Sequence, residues 1–169
     1  MRKINVLKYL WILGLSVMLS ACGWHLRGQT PLPAELQVLA IEPSNGYLLF
    51  QRALRSALKA ANVQVVSMSA KPGSVLYLLH EQYSARSWVL NQDGETQENI
   101  IHYELKFKLT DADGINLLDE QTIVLERTQR VNPNTLLSQI EEERLLLQEM
   151  REDAAQQMIR RLSKIQVSD

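Results

Sequence analysis

The sequence predicts an α+β domain, a two-layer sandwich with two helices packed on one face of a mixed, mostly antiparallel sheet. Three observations carry this. Strand, helix and strand patterns follow one another between residues 37 and 66, the order of a βαβ unit. About sixty strand-forming residues then contain two turn signals, Asn91-Gln92-Asp93-Gly94 and Asp111-Ala112-Asp113-Gly114, and so read as a long-stranded antiparallel meander. Last, apolar residues recur at helical spacing over most of the stretch from Leu136 to Ile165.

The first 21 residues stand outside that domain. Arg2, Lys3 and Lys8 precede a mostly apolar run from Tyr9 to Leu19 with no acidic residue, which is the pattern of a secretory leader. As a helix this run would rise only about 16 Å, against roughly 30 Å of hydrocarbon, so removal is expected rather than membrane spanning. Leu19-Ser20-Ala21-Cys22 resembles the lipobox of bacterial lipoproteins, where small residues admit the peptidase before a cysteine. That resemblance implies a mature chain beginning at Cys22 with a diacylglyceryl thioether on its sulfur and an acyl chain on its amine. Two or more chains anchor stably where one does not, so permanent attachment to a bilayer surface is expected.

Removing residues 1–21 leaves 148 of the 169 residues, enough for one domain with a sizeable core. Three of the 18 basic residues and none of the 19 acidic ones leave with it, giving a net charge of −4 and no global field for nucleic acid. Cys22 is the only cysteine, so disulfides and thiolate metal sites are excluded.

Residues 22–34 contain Gly23, Gly28 and Pro31-Leu32-Pro33, which disfavour regular structure and suit a tether, with the domain proper at 35–169. Gln37 to Ile41 is short, apolar and closed by Glu42-Pro43, hence a buried strand. Ser44-Asn45-Gly46 supplies helix-capping chemistry. Phe50, Leu54, Ala57, Leu58 and Ala61 then form a helical stripe, with Arg52, Arg55 and Lys59 on another, solvated face. After Asn62 the run Val63 to Val66 is a second strand.

The meander opens at Val75, where Val75 to Leu79 is apolar on both faces. In Ile101 to Leu109 every odd position is apolar and every even one polar, so Ile101, Tyr103, Leu105, Phe107 and Leu109 face the core. His102, Glu104, Lys106 and Lys108 then face water or a polar partner. Ile115 to Val131 completes the sheet, and Gly114 suits a positive φ in the turn before it. Asn132-Pro133 makes a good helix start, and the stripe Leu136, Ile140, Leu147, Met150, Ala154, Met158 runs to about Lys164. It fails at Glu143 and Arg144. Roughly thirty residues give some 45 Å of helix, more than one sheet needs, so part of it should overhang.

No catalytic constellation is present. His25, His80 and His102 do not group with carboxylates at metal-ligand spacing, and Glu141-Glu142-Glu143, near the front of the last helix, suits the helix dipole and solvent exposure. Asp111 to Gly114 lacks the later ligands of a calcium loop. There is no nucleophile elbow and no phosphate-binding glycine loop, so neither enzyme activity nor a cofactor is expected.

Cys22-Gly23-Trp24-His25-Leu26-Arg27 resembles the mature start of the LptE (RlpB) family of lipopolysaccharide-assembly lipoproteins. The likeness extends through the Arg52/Arg55/Lys59 helix, the Asn91–Gly94 hairpin, Asn132-Pro133, and Met150 to Leu162. It implies a two-layer domain held inside the barrel of the outer-membrane protein LptD, in a one-to-one complex that delivers lipopolysaccharide to the cell surface. The domain would lie on the periplasmic side of the outer membrane, with Gly23 after the cysteine resembling an outer-membrane sorting signal. The family's basic positions for lipopolysaccharide fall here on Asn91 or Gln92 and on about Gln139, none of them charged. Arg86, Lys106, Lys108, Arg127 and Arg130 are the nearby cations able to substitute for them. A chaperone and plug for LptD without ligand affinity is the alternative expectation.

Overall fold

A computed structural model describes residues 32–42, 47–90, 92, 94–131 and 136–165. The leader, Cys22, the capping segment Ser44 to Gly46 and Asn132-Pro133 lie outside the described residues. Five strands and two helices are laid down in the order β1 (Val38–Glu42), α1 (Leu48–Ala60), β2 (Gln64–Val66), β3 (Ser74–Leu90), β4 (Thr96–Asp111), β5 (Asn116–Arg130), α2 (Leu136–Leu162). The sheet order is β2-β1-β3-β4-β5, with β1 parallel to both neighbours and the last three strands antiparallel. The expected α+β architecture is therefore present as an open mixed sheet carrying two helices.

Each element follows from its side chains. Phe50, Leu54, Ala57 and Leu58 bury one side of α1, and Asn62 leaves the helix with a φ of 60°, a left-handed value that asparagine tolerates. Gly94 and Gly114 hold φ values of 80° and 85° in the two hairpins. In the second, the Asp111 carboxylate accepts the backbone N–H groups of Asp113 (2.9 Å) and Ile115 (2.8 Å), closing the turn. The expected alternation is realised from Ile101 to Leu109, where Ile101, Tyr103, Leu105, Phe107 and Leu109 are fully buried and the residues between them are not.

The core lies between that face of the sheet and the helices, where Met150, Ala154, Met158 and Leu162 of α2 meet it. Leu32 and Leu36, from the segment before β1, are buried in the same cluster, so the tail end of the tether is packed into the domain. The apolar stripe of α2 is buried only from Leu147 onward. Before it, Leu137, Ile140 and Leu145 are exposed, Leu137 at 84%. The front of α2 nevertheless stays against the sheet, because the buried Gln129 side chain of β5 donates to the Gln139 carbonyl at 3.0 Å, so the expected overhang is not what exposes these residues.

Strand β3 departs from simple alternation. Leu78 pairs with Phe107 and His80 with Lys106, leaving Leu79 as an extra residue in a bulge. Before the bulge Leu76 and Leu78 face the core; after it Glu81, Tyr83 and Ala85 do, and His80 turns outward. One inserted residue exchanges the faces of all that follows.

Candidate functional site

The uncovered face of the meander holds four of the five cations expected from sequence. Lys106 and Lys108 project from β4 on the side opposite the buried odd-numbered residues. Register places Arg86 beside Ile100 and Arg130 beside Glu98, both on that same side. The face is polar because β4 alternates, but it is not uniformly basic. Lys106 pairs with Glu104 at 3.4 Å, and His102 with Glu126 at 3.2 Å. Lys108 lies over the Tyr77 ring at 5.2 Å and Arg86 over Trp88 at 5.8 Å, so both cations also rest on aromatic faces.

Rows Ile100 and Lys106 are six residues apart along β4, roughly 20 Å at about 3.4 Å per residue. Arg86 and Arg130 therefore form one pair near the hairpin end, and Lys106 and Lys108 another. They cannot meet on a single phosphate. The arrangement suits an extended polyanionic or mixed polar surface better than one compact anion.

Arg127 stands apart. It is opposite Ile101, hence on the helix side, where its guanidinium is paired with Asp153 of α2. The sequence grouped it with the other cations through strand proximity alone. Of the uncharged family positions, Asn91 lies outside the described residues, Gln92 is an exposed turn residue, and the Gln139 carbonyl accepts a hydrogen bond from the Gln129 side chain at 3.0 Å.

Sequence reasoning did not anticipate the polar cluster set inside the core. Glu81 receives the Arg151 guanidinium at 2.8 Å and the Tyr103 hydroxyl at 3.1 Å, with the ion-pair side chains 7% and 13% exposed. Burial, followed by the charge of Glu81 and the hydrogen bond to it, drives the Tyr103 phenol well above its ordinary value. No signal in the residue pattern locates this triad, because the Leu79 bulge decides that Glu81 faces inward. The cluster is largely buried, with Arg151 at its edge also reaching the space between the two helices, and it has the character of a structural tie between β3, β4 and α2.

A concavity of about 510 Å³ runs between the helices, with Arg52, Ser56 and Ala57 on one wall and Arg144, Gln148, Arg151 and Glu152 on the other. Arg144 is held by Glu141 through contacts of 2.6 and 2.9 Å, which keep that carboxyl below the usual carboxylate value. Arg55 and Lys59 are exposed on α1, as a solvated face requires. Among the described residues no three His, Cys, Asp or Glu side chains gather as a metal site, and no helix is long and apolar enough to cross a membrane.

Comparison with known proteins bears on the whole of this geometry. Residues 36–162 match the model of the LptE family, described as lipopolysaccharide-assembly. The LPS-assembly lipoprotein LptE of Pectobacterium atrosepticum is 34% identical over 157 residues, covering 91% of this chain and 84% of its own length. That of Yersinia pestis is 33% identical over 162 residues, covering 94% and 76%. Among solved structures, an uncharacterized lipoprotein B from Nitrosomonas europaea superposes with a TM-score of 0.69 at 27% identity, covering 83% of this chain and 90% of that one. The rare lipoprotein B of Shewanella oneidensis shares the fold, with a TM-score of 0.64 at 24% identity, covering 74% and 92%.

Proposed function

The chain belongs to the LptE family, and from that premise we propose that it is a non-enzymatic subunit of the outer-membrane lipopolysaccharide translocon. In this reading it is anchored through acylated Cys22 on the periplasmic side of the outer membrane. It acts as plug and assembly factor of the LptD barrel in a one-to-one complex, and it binds lipopolysaccharide on the way to the outer leaflet.

The observation that carries the reading is the uncovered sheet face. A core-building domain normally covers both faces of a sheet or leaves one wet, and here the bare face mixes His102, Glu104, Lys106, Lys108 and Glu126. Such a face is compatible with the water-filled interior of a large barrel, whose lumen is itself polar. Arg86 and Arg130 offer guanidinium forks to phosphorylated glycolipid at the hairpin end of that face.

A second reading, a plug without lipopolysaccharide affinity, is favoured by two features. Carboxylates alternate with the cations on the bare face, and the family's basic positions fall on neutral side chains.

Two measurements separate these readings. Affinity purification of the full lipidated chain from the outer membrane should bring down a heat-modifiable barrel; its absence overturns both. Lipopolysaccharide binding should then fall on Arg86→Ala/Arg130→Ala and stay unchanged on Arg127→Ala, whose guanidinium is engaged by Asp153 on the other side of the sheet. Equal binding by all three proteins would leave the plug alone.

A further inference from the structure

The sheet has two outer edges in its long-stranded half, and they differ. Along β5 the edge is occupied: the Thr122 carbonyl accepts Arg161 at 2.9 Å, the Glu126 carbonyl accepts Arg127 at 3.1 Å, and the Glu120 carbonyl accepts Gln121 at 3.4 Å. Charged side chains at Asp119, Glu120, Glu126 and Arg130 add the usual protection against strand addition. Along β3 the situation is reversed. β1 pairs only with Ser74 to Tyr77, and the Tyr47 hydroxyl reaches the Leu79 carbonyl at 3.3 Å. From His80 onward β3 pairs with β4 alone among the described residues.

Among the described residues this edge is long and unguarded. The stretch His80 to Ser87 precedes the irregular register at Ser87 to Leu90 and spans about 26 Å at about 3.3 Å per residue. It contains no proline and no lysine, and its one carboxylate, Glu81, is drawn inward by Arg151. Gln82 to Ser87 are exposed on both faces, with Tyr83 47% exposed although it lies on the helix side. A strand could therefore approach without meeting α2.

We propose that the β3 edge from His80 to Ser87, continuous with the bare sheet face, receives an extended segment of the barrel partner as a sixth strand. Strand addition draws affinity from main-chain hydrogen bonds and specificity from alternate side chains, and this edge supplies both. The inference rests on the barrel-plug reading and deepens it.

Site-specific photocrosslinking tests it in cells carrying the full lipidated chain, with the crosslinker placed in turn at Gln82, Tyr83, Ser84 and Ala85. An added strand lies beside both faces, so adducts to the barrel are expected at all four consecutive positions. Adducts at Gln82 and Ser84 only, or at none while the barrel still co-purifies, would overturn the edge and leave the plug reading standing. Absence of any co-purifying barrel overturns both. Ser84→Lys/Ala85→Lys should lower barrel recovery about tenfold while the isolated protein keeps its unfolding midpoint; unchanged recovery also overturns the edge.

Discussion

Glu81, Tyr103 and Arg151 concentrate the electrostatic stakes of the fold in three side chains. A buried ion pair is weak evidence of net stability, yet removing one partner leaves a desolvated charge and costs about 3–5 kcal/mol. Arg151→Met should therefore destabilise the domain by that order in urea unfolding, whereas Glu81→Leu/Tyr103→Phe/Arg151→Met, which leaves no member of the cluster unpaired, should recover most of the loss. The third member adds a pH dependence whose sign is fixed. Burial and the neighbouring carboxylate raise the Tyr103 phenol in the folded state, so the fold binds that proton more tightly than the unfolded chain does. The contribution is fully present below the ordinary tyrosine value near 10 and is lost as pH rises beyond it. Tyr103→Phe should lower the thermal midpoint modestly at pH 7, since it removes the 3.1 Å hydrogen bond to Glu81, and should flatten the midpoint's decline above pH 10. An unaltered alkaline decline in the variant would assign it elsewhere.

At the scale of elements, α2 divides into a half that builds the core and a front half held to β5 mainly through the Gln129–Gln139 hydrogen bond. Met150, Ala154, Met158 and Leu162 are fully buried, while Leu137, Ile140 and Leu145 are exposed. Truncating Leu162 to alanine should cost about 2–5 kcal/mol in denaturant, and Ile140→Asp within about 0.5 kcal/mol. Amide exchange should follow the same division, faster from Leu137 to Leu146 than from Leu147 onward. This division was partly legible, because the stripe breaks at Glu143 and Arg144. β4 was legible residue by residue, since five odd apolar positions admit one orientation against a core. β3 was not. Its apolar start conceals the phase, and the bulge at Leu79 exchanges inside and outside without any change in composition. The same blindness explains the candidate site: strand proximity could name Arg127 beside Lys106 and Arg130, but only register shows that it opposes Ile101 and points at α2. Deleting Leu79 tests how much depends on the bulge. It would bring His80 directly after Leu78 and leave it opposite Lys106, with Glu81 still opposite Leu105 and within reach of Arg151, so the variant should keep cooperative unfolding; its loss would show that the bend at the bulge is itself required.

For the whole molecule, the competing attachments are a lipid and a protein. In the proposed arrangement the acyl chains on Cys22 hold the chain at the membrane, while the sheet face and the β3 edge hold it to the barrel. Leu32 is already buried in the core, so the stretch from Cys22 to the packed body is only some ten residues, at most about 36 Å when extended. The anchor thus confines the domain near the barrel during assembly, raising its effective concentration, but adds little once the domain is enclosed. Cys22→Ala behind a cleavable non-lipoprotein signal separates the two contributions. The expected outcome is a soluble periplasmic chain that still co-purifies with the barrel, assembling more slowly in pulse-chase labelling but reaching a comparable final yield. Complete loss of the complex at every expression level would instead make the lipid indispensable and reduce the sheet surfaces to secondary contacts.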